Sequence, residues 1–151
     1  MSLVGKGVYK ARDILIIVMT KEERKALLLD VTARLQYGIV VKAGRKYGRI
    51  IAVRTCGQVI VEFGKEGNGP DSPCSIVPYD IEEVTVFLRR LCTATEEELK
   101  EYNSIVEELQ ASLFTSNCYK LTDWFNAHFF DNRGMIDNGL VKEAKDKMYN
   151  I

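Results

Sequence analysis

The amino-acid sequence predicts an α+β protein in which a small five-stranded β-barrel lies between an N-terminal strand–helix unit and a helical C-terminal region. Two observations support this class. Between Gly38 and Phe63, short β-branched runs alternate with glycines, a pattern typical of strands joined by tight turns. Capping-box patterns at Thr20–Glu23 and Thr95–Glu98 precede the two clearest helical periodicities. The predicted units are residues 1–36, 37–90 and 91–151.

The N-terminal unit is expected to hold one strand and one helix after a loose lead-in over residues 1–12. Residues 14–19 are continuously apolar and too short for a helix, so they predict a strand. A helix is expected from about residue 21 to 36, where Gly38 is placed to end it. Its apolar face is formed by residues at helical spacing: Leu27, Leu28, Val31 and Leu35.

The central unit is expected to contain five short strands. They are placed at residues 38–43, 49–55, 58–63, 74–77 and 84–88. Residues 64–73 are rich in Gly, Pro, Asn and Asp and predict an exposed loop. Residues 78–83 are too broken for a strand, and one turn of 3₁₀ helix is expected there, immediately before the last strand.

The C-terminal unit is expected to be helical. A helix at about 96–114 has an apolar stripe opposite an acidic face of Glu96, Glu97, Glu101, Glu107 and Glu108. This acidic face is either solvated, or docks a basic partner, or covers the protein's own basic turn. A second helix is expected at 121–130 around aromatic residues, then a turn-rich loop at 131–139 and a short last helix at 140–149.

Charge is divided unevenly along a chain of 151 residues whose formal net charge is +0. Residues 1–55 carry 12 Lys/Arg and 4 Asp/Glu, whereas residues 56–151 carry 9 and 17. No acid occurs between Asp30 and Glu62. This asymmetry indicates a polyanion partner for the basic half, or two halves that face each other.

The composition argues against an enzyme and against a bound metal or cofactor. The four cysteines include no C-x-x-C pair, and His128, the single histidine, lies among aromatic residues where a structural role is expected. Cys56 is the other candidate nucleophile, and no histidine is near it in the sequence. No phosphate loop or hydrolase motif occurs. With no secretory leader and no apolar run long enough to span a membrane, we expect a cytoplasmic protein with free, mostly buried thiols.

The turn between the first two central strands carries a recognisable pattern. Gly44, Gly48, Arg49 and Val53 resemble the KOW motif of ribosomal proteins and of the NusG transcription factors, which places a basic turn between two strands. The departure is Ile51, where the family usually has a further glycine. The resemblance covers about 25 residues. Together with the predicted 3₁₀ turn, it implies an SH3-like or Tudor-like barrel and a role in transcription or translation.

The basic turn is the candidate binding site. The predicted phosphate contacts are Lys42, Arg45, Lys46, Arg49 and Arg54, and Tyr47 is placed to stack on a base. Contacts to the backbone of DNA or RNA would give little sequence specificity. The alternative is that these are ordinary solvated turn residues and that Tyr47 packs on the barrel.

Two other functions remain open at this stage. A protein-interaction module would bind a polymerase, ribosome or assembly partner, with the aromatic C-terminal helices as docking surface. A structural or assembly subunit would form a stable oligomer and bind nucleic acid weakly.

Overall fold

The computed structural model of the protein describes residues 8–11, 14–65, 74–111, 118–145 and 147–149. In these residues the chain forms three α-helices, a two-stranded sheet and a six-stranded sheet. The predicted α+β class is therefore confirmed. None of the helices in this part of the chain combines the length and apolar character needed to cross a membrane.

The N-terminal unit contains one strand more than predicted. Strands β1 (Val8–Ala11) and β2 (Ile14–Ile17) pair antiparallel. The expectation of a loose lead-in is wrong for residues 8–11, because their backbone groups find hydrogen-bond partners on β2. Residues 1–7, 12 and 13 lie outside the described part.

Helix α1 (Lys21–Ala33) begins at the predicted cap. The Thr20 hydroxyl accepts from the Glu23 amide at 3.1 Å, and Glu23 Oε1 accepts from the Thr20 amide at 2.9 Å. The helix ends before residue 36, because residues Leu35–Tyr37 tighten into a 3₁₀ turn. Gly38 ends that turn in the left-handed region at φ 79°, as its position predicted.

The central strands form a sheet with the order β6-β5-β4-β3-β7-β8. Its strands are β3 (Val40–Ala43), β4 (Lys46–Val53), β5 (Gln58–Lys65), β6 (Cys74–Asp80), β7 (Thr85–Leu88) and β8 (Lys142–Glu143). Neighbours pair antiparallel except β7 and β8, which are parallel. The five predicted strands are all present, with shifted ends. The predicted loop at 64–73 is wrong for residues 64 and 65, which continue β5, and residues 66–73 lie outside the described part.

The sheet does not close into a barrel. Within the described residues, β6 and β8 are its two edges, and no ladder joins them. The closed five-stranded barrel is therefore not observed, because the C-terminal segment adds β8 beside β7 instead of leaving that edge free. A register shift between Ile50 and Ala52 in β4 is the kind of irregularity that bends a strand.

The 3₁₀ turn before β7 lies later than expected, at Ile81–Glu83. Residues 78–80 continue β6 instead, with Pro78 opposite Ile60. Proline lacks the N–H that a central strand needs, and it is tolerated here because β6 is an edge strand.

The C-terminal unit holds two of the three predicted helices. They are α2 (Glu96–Ala111) and α3 (Cys118–Ala127), and residues 112–117 lie outside the described part. The predicted last helix at 140–149 is wrong: β8 and a turn at 147–149 occupy this segment. A short isolated helix has little intrinsic stability. Here the Ala144 amide instead donates to Leu88 O at 2.7 Å, and the Tyr149 hydroxyl donates to Phe87 O at 2.6 Å.

One apolar core joins the helices to the sheet. It includes buried residues from α1, from the central strands and from residues 129–149, so the C-terminal segment packs on the sheet. Its most completely buried apolar members are Leu27, Val31, Ile39, Val41, Ile50, Val59, Val61, Ile81, Val84, Val86 and Leu88.

Candidate nucleic-acid interface

The candidate interface is built on the β3–β4 hairpin. Ala43 pairs with Lys46, so the turn consists of Gly44 and Arg45 alone. Gly44 has φ 61°, the value that the first central position of a type II′ turn requires and that glycine adopts without strain. The strong twist of such a turn projects Arg45, which is exposed, from the tip of the hairpin.

Gly48 is required for a different reason. A Cβ at this position would lie 2.7 Å from both Glu62 O and Val61 Cγ1, closer than side chains tolerate. The residue opposite Gly48 on β5 is Phe63. Glycine at this position therefore lets β5 approach β4 directly behind the basic turn. Of the motif's two glycines, Gly44 is needed for its backbone conformation and Gly48 for the space it leaves.

Three of the predicted binding residues share one face of the hairpin. Lys42 pairs with Tyr47 and Val40 pairs with Arg49, and directly paired residues project to the same side. We call Lys42, Tyr47 and Arg49 the outer hairpin face. The Lys42 ammonium lies 5.5 Å from the centre of the Tyr47 ring. Tyr47 is 43% exposed, and its ring centre is 5.9 Å from that of Phe87, so the ring packs on the sheet while part of it remains open to solvent.

The remaining predicted residues are placed differently. Lys46 projects to the opposite face, where its ammonium lies 6.0 Å from the Phe63 ring centre. Arg54 follows the far end of β4, and its Nη1 donates to Gln58 Oε1 at 3.1 Å. Eight residues of extended strand separate it from Lys46, a distance of roughly 25 Å. The structure thus groups Lys42, Arg45, Tyr47 and Arg49, and separates Lys46 and Arg54 from them.

A groove of about 620 Å³ borders the outer hairpin face. Its walls include Tyr37, Tyr47, Ile51 and Phe63, with Arg49 and Glu62 as the charged groups. The Tyr37 hydroxyl donates to Asp123 Oδ1 at 2.8 Å, a bond that raises the pKa of Tyr37 and fixes its ring against α3. The aromatic walls of such a groove can stack on a flat ring, and the arginine can pair with a negative charge on that ring or next to it.

Arg49 is positioned by the backbone. Its Nη1 donates to Gly38 O at 2.8 Å, the carbonyl of the glycine that ends the turn after α1. Glu62 is the residue opposite Arg49 on β5, so one acid borders this end of the face. Among the described residues the guanidinium makes no other hydrogen bond, so its remaining N–H groups can donate to a ligand.

A second concavity on the other side of Tyr47 was missed by the sequence reasoning. We call this the lysine pocket. It has a volume of about 120 Å³ and is lined by Lys42, Gly44, Tyr47, Glu83, Thr85, Phe87, Lys142 and Lys145. Lys142 and Lys145 were assigned to a separate helix, and no local pattern links them to a hairpin 100 residues earlier. Only the long-range pairing of β8 with β7 brings them there.

Four of the cations near Tyr47 have no acidic partner in the part of the chain that the structure describes. Within the described residues, Lys42, Arg45, Lys142 and Lys145 have no carboxylate within 4.0 Å. By contrast, Arg24 pairs with Glu82 at 2.6 Å. Unpaired surface cations that converge on one side of a molecule are available to an anionic ligand.

The acidic residues of α2 lie in another environment. Glu101 accepts a hydrogen bond from Trp124 Nε1 at 3.0 Å, and Glu108 accepts one from Lys120 at 3.2 Å. Both partners belong to α3. The hypothesis that this helix covers the basic turn therefore gains no support from these two side chains.

Of the two candidate catalytic residues, His128 makes structural contacts. His128 Nδ1 lies 3.0 Å from Glu98 Oε2, Nε2 lies 3.4 Å from Glu101 Oε2, and the ring centre is 4.8 Å from that of Trp124. Cys56 and Cys92 are free and exposed, so the expectation of mostly buried thiols is wrong for these two. Among the described residues, no three His, Cys, Asp or Glu side chains converge as ligands of a metal ion would.

Comparisons of this chain with protein-family models, with curated proteins and with solved structures found no significant match.

Proposed function

We propose that this protein is a non-enzymatic nucleic-acid-binding protein that contacts the sugar-phosphate backbone through the β3–β4 hairpin. The observation that carries the proposal is the grouping of Lys42, Tyr47 and Arg49 on one outer face beside the exposed Arg45. Lysine and arginine neutralise phosphates and release counterions, and an exposed tyrosine stacks on a base whatever its identity. The expected specificity for sequence is low, because backbone contacts carry no sequence information.

We also propose that the central sheet is an opened SH3-like barrel. Five consecutive antiparallel strands, a 3₁₀ turn before the last of them and the return of that strand to the first support this assignment. The register shift in β4 provides a point at which the sheet can curl. With the KOW-like turn, this architecture supports a role in modulating transcription or translation. The exposed free thiols of Cys56 and Cys92 are consistent with a reducing compartment such as the cytoplasm.

The test is fluorescence anisotropy with labelled duplex DNA and labelled single-stranded RNA at two salt concentrations. The wild type is compared with Arg45→Glu/Lys46→Glu and with a control, Lys21→Glu/Lys25→Glu, which makes the same charge change at two exposed positions of α1. We expect binding that weakens steeply with salt, is lost in the hairpin variant and is retained in the control.

The proposal is overturned if the wild type binds neither ligand at low salt. It is also overturned if the two variants lose the same affinity, since the effect would then come from net charge and not from the hairpin.

A protein-interaction module is the second candidate. Two observations favour it: Tyr119 on α3 is 66% exposed, and Ile76 on the edge strand β6 is 57% exposed. An unpaired strand edge with an apolar residue can accept a strand from another protein. Association through such surfaces depends weakly on salt, so a complex with a protein partner should persist at salt concentrations that release nucleic acid.

A further inference from the structure

The lysine pocket combines side chains from three separate parts of the chain. Lys42 belongs to β3 and Thr85 to β7, while Lys142 and Lys145 come from β8 and the residues after it. Tyr47 lines both this pocket and the larger groove, so its ring stands between them. The pocket's volume of about 120 Å³ equals roughly four water molecules, a space that suits one tetrahedral anion better than a nucleobase.

The charge in the pocket is strongly positive. Three lysines line it together with one acidic residue, Glu83. Glu83 Oε1 is engaged elsewhere, because it accepts a hydrogen bond from the Asp80 amide at 3.0 Å and caps the 3₁₀ turn. Like charges gathered in one pocket repel one another, and a bound anion would relieve that repulsion.

The backbone that carries the two C-terminal lysines is held in place. Lys142 pairs with Phe87 across the β7–β8 ladder, and the Ala144 amide donates to Leu88 O at 2.7 Å. Farther along, the Tyr149 hydroxyl donates to Phe87 O at 2.6 Å and accepts from the Val40 amide at 3.1 Å. These bonds fix the segment before any ligand arrives, which lowers the entropic cost of binding.

We propose that the lysine pocket binds a phosphate group of a single-stranded polynucleotide, while a neighbouring base stacks on Tyr47 in the groove. This inference rests on the proposed function and names the form of nucleic acid that the site takes. A basic pocket and an aromatic groove on the two sides of one tyrosine match the alternation of phosphate and base along a strand. Bases within a duplex are stacked on one another, so they are not free to enter the groove.

The test compares Lys142→Gln/Lys145→Gln with Lys21→Gln/Lys25→Gln, a control that removes the same charge from α1. Single-stranded RNA and DNA oligonucleotides and a duplex of equal length are titrated from 0.05 to 0.3 M salt. For a single strand, loss of two phosphate contacts should reduce the slope of log affinity against log salt by about 1.4. With 1 M salt as the reference, where this electrostatic contribution vanishes, the same relation gives a loss of affinity of about 25-fold at 0.1 M salt.

Two further measurements keep the result interpretable. Lys142→Arg/Lys145→Arg preserves both charges and should bind as the wild type does. Thermal unfolding should be the same for all variants, because the two lysines are exposed.

The outcomes separate this inference from the proposed function. If Arg45→Glu/Lys46→Glu abolishes binding while Lys142→Gln/Lys145→Gln matches its control, the phosphate pocket is overturned and the hairpin interface stands. Equal losses for the duplex and the single strands would overturn the assignment to single strands. Absence of any binding by the wild type would overturn the proposed function itself.

Discussion

The cations of this protein occupy two contrasting environments. Arg34 and Arg89 are buried, with exposed fractions of 0% and 9%, and each is paired with a carboxylate. Around the β3–β4 hairpin, Lys42, Arg45, Lys142 and Lys145 reach the surface without an acidic partner in the described part of the chain. The buried pairs join elements of the fold, whereas the unpaired cations are available to a ligand.

The Arg34 cluster connects the N-terminal helix to the C-terminal region. The guanidinium bonds both oxygens of Asp30, with Nε–Oδ2 2.9 Å and Nη2–Oδ1 3.2 Å, and it also donates to Phe125 O at 3.1 Å. Asn132 and Arg133 complete the cluster from the loop after α3. Arg34 therefore holds α1 against α3, although it is one of the basic residues of the half that was expected to bind a polyanion.

The Arg89 cluster has the same role between β7 and the helices. Its guanidinium bonds Glu98 with both terminal nitrogens, at 2.8 and 2.9 Å, and donates to His128 O at 3.1 Å. It also lies 4.2 Å from the centre of the Phe130 ring. Bidentate pairs in buried sites are among the stronger charge-assisted hydrogen bonds.

The largest effect on stability is expected for Arg34→Met. This change removes both Arg34 bonds to the completely buried Asp30 and leaves Arg133 as its remaining charged partner. Breaking a buried ion pair costs about 3–5 kcal/mol of unfolding free energy. Urea unfolding followed by circular dichroism measures it. The matched control Arg45→Met, at the exposed hairpin tip, should change the unfolding free energy by less than about 0.5 kcal/mol. Similar losses of unfolding free energy in the two variants would show that the buried and the surface arginine contribute equally to stability.

The second-largest expected effect is a loss of folding stability at low pH. The hydrogen bonds from Arg89, aided by the Thr95 amide and the charge of His128, lower the pKa of Glu98 to about 2. A carboxyl whose pKa is lower in the folded state stabilises the fold above its unfolded pKa, near 4.5, and loses that contribution as the pH falls toward 2. The shift corresponds to about 3 kcal/mol.

Urea unfolding at pH 7, 4.5, 3 and 2 tests this expectation. The wild type should lose stability across the window from about 4.5 to 2, and Glu98→Gln should be less stable at pH 7 with a flatter profile below pH 4.5. Exposed acids of α2 provide the control, and Glu107→Gln should reproduce the wild-type profile. Parallel profiles for the wild type and Glu98→Gln would show that another carboxyl dominates acid unfolding.

Local sequence signals predicted the hairpin well, and they failed where distant contacts decide the structure. Gly44 and Gly48 predicted the turn because their roles depend on the adjacent strands. Thr20 and Thr95 predicted two helix starts because capping is local, and the Glu98 amide does donate to Thr95 Oγ1 at 3.2 Å. Charge counts could not separate Arg34 from Arg45, since burial depends on α3 and on the loop after it.

The segment at 140–149 shows the limit most clearly. Its polar and apolar spacing is compatible with a helix. Its conformation is determined instead by pairing with the β7 backbone and by the burial of Tyr149. The Tyr149 ring stacks on Phe129 with centres 3.9 Å apart, and burial raises the pKa of its hydroxyl. The hydrogen-bond partners of Tyr149 are Val40 and Phe87, and both are more than 60 residues away in the sequence. The lysine pocket depends on the conformation of this segment, so it could not be predicted from the sequence either.

The smallest effect on stability, and the sharpest test of the comparison, is expected for Lys42→Gln. Lys42 lies on the outer hairpin face and also lines the lysine pocket, and within the described residues no carboxylate pairs with it. Its removal should change the unfolding free energy by less than about 0.5 kcal/mol, which urea titration can check. The same change should reduce the salt slope of single-strand binding by about 0.7.

Lys25→Gln on α1 is the control and should leave both quantities as in the wild type. A loss of stability at Lys42 above about 1 kcal/mol would mean that the stacked Lys42–Tyr47 pair supports the hairpin itself. The cations around Tyr47 would then contribute to folding as Arg34 and Arg89 do. An unchanged salt slope would remove Lys42 from the interface, and the remaining contacts would have to come from Arg45, Arg49 and the C-terminal lysines.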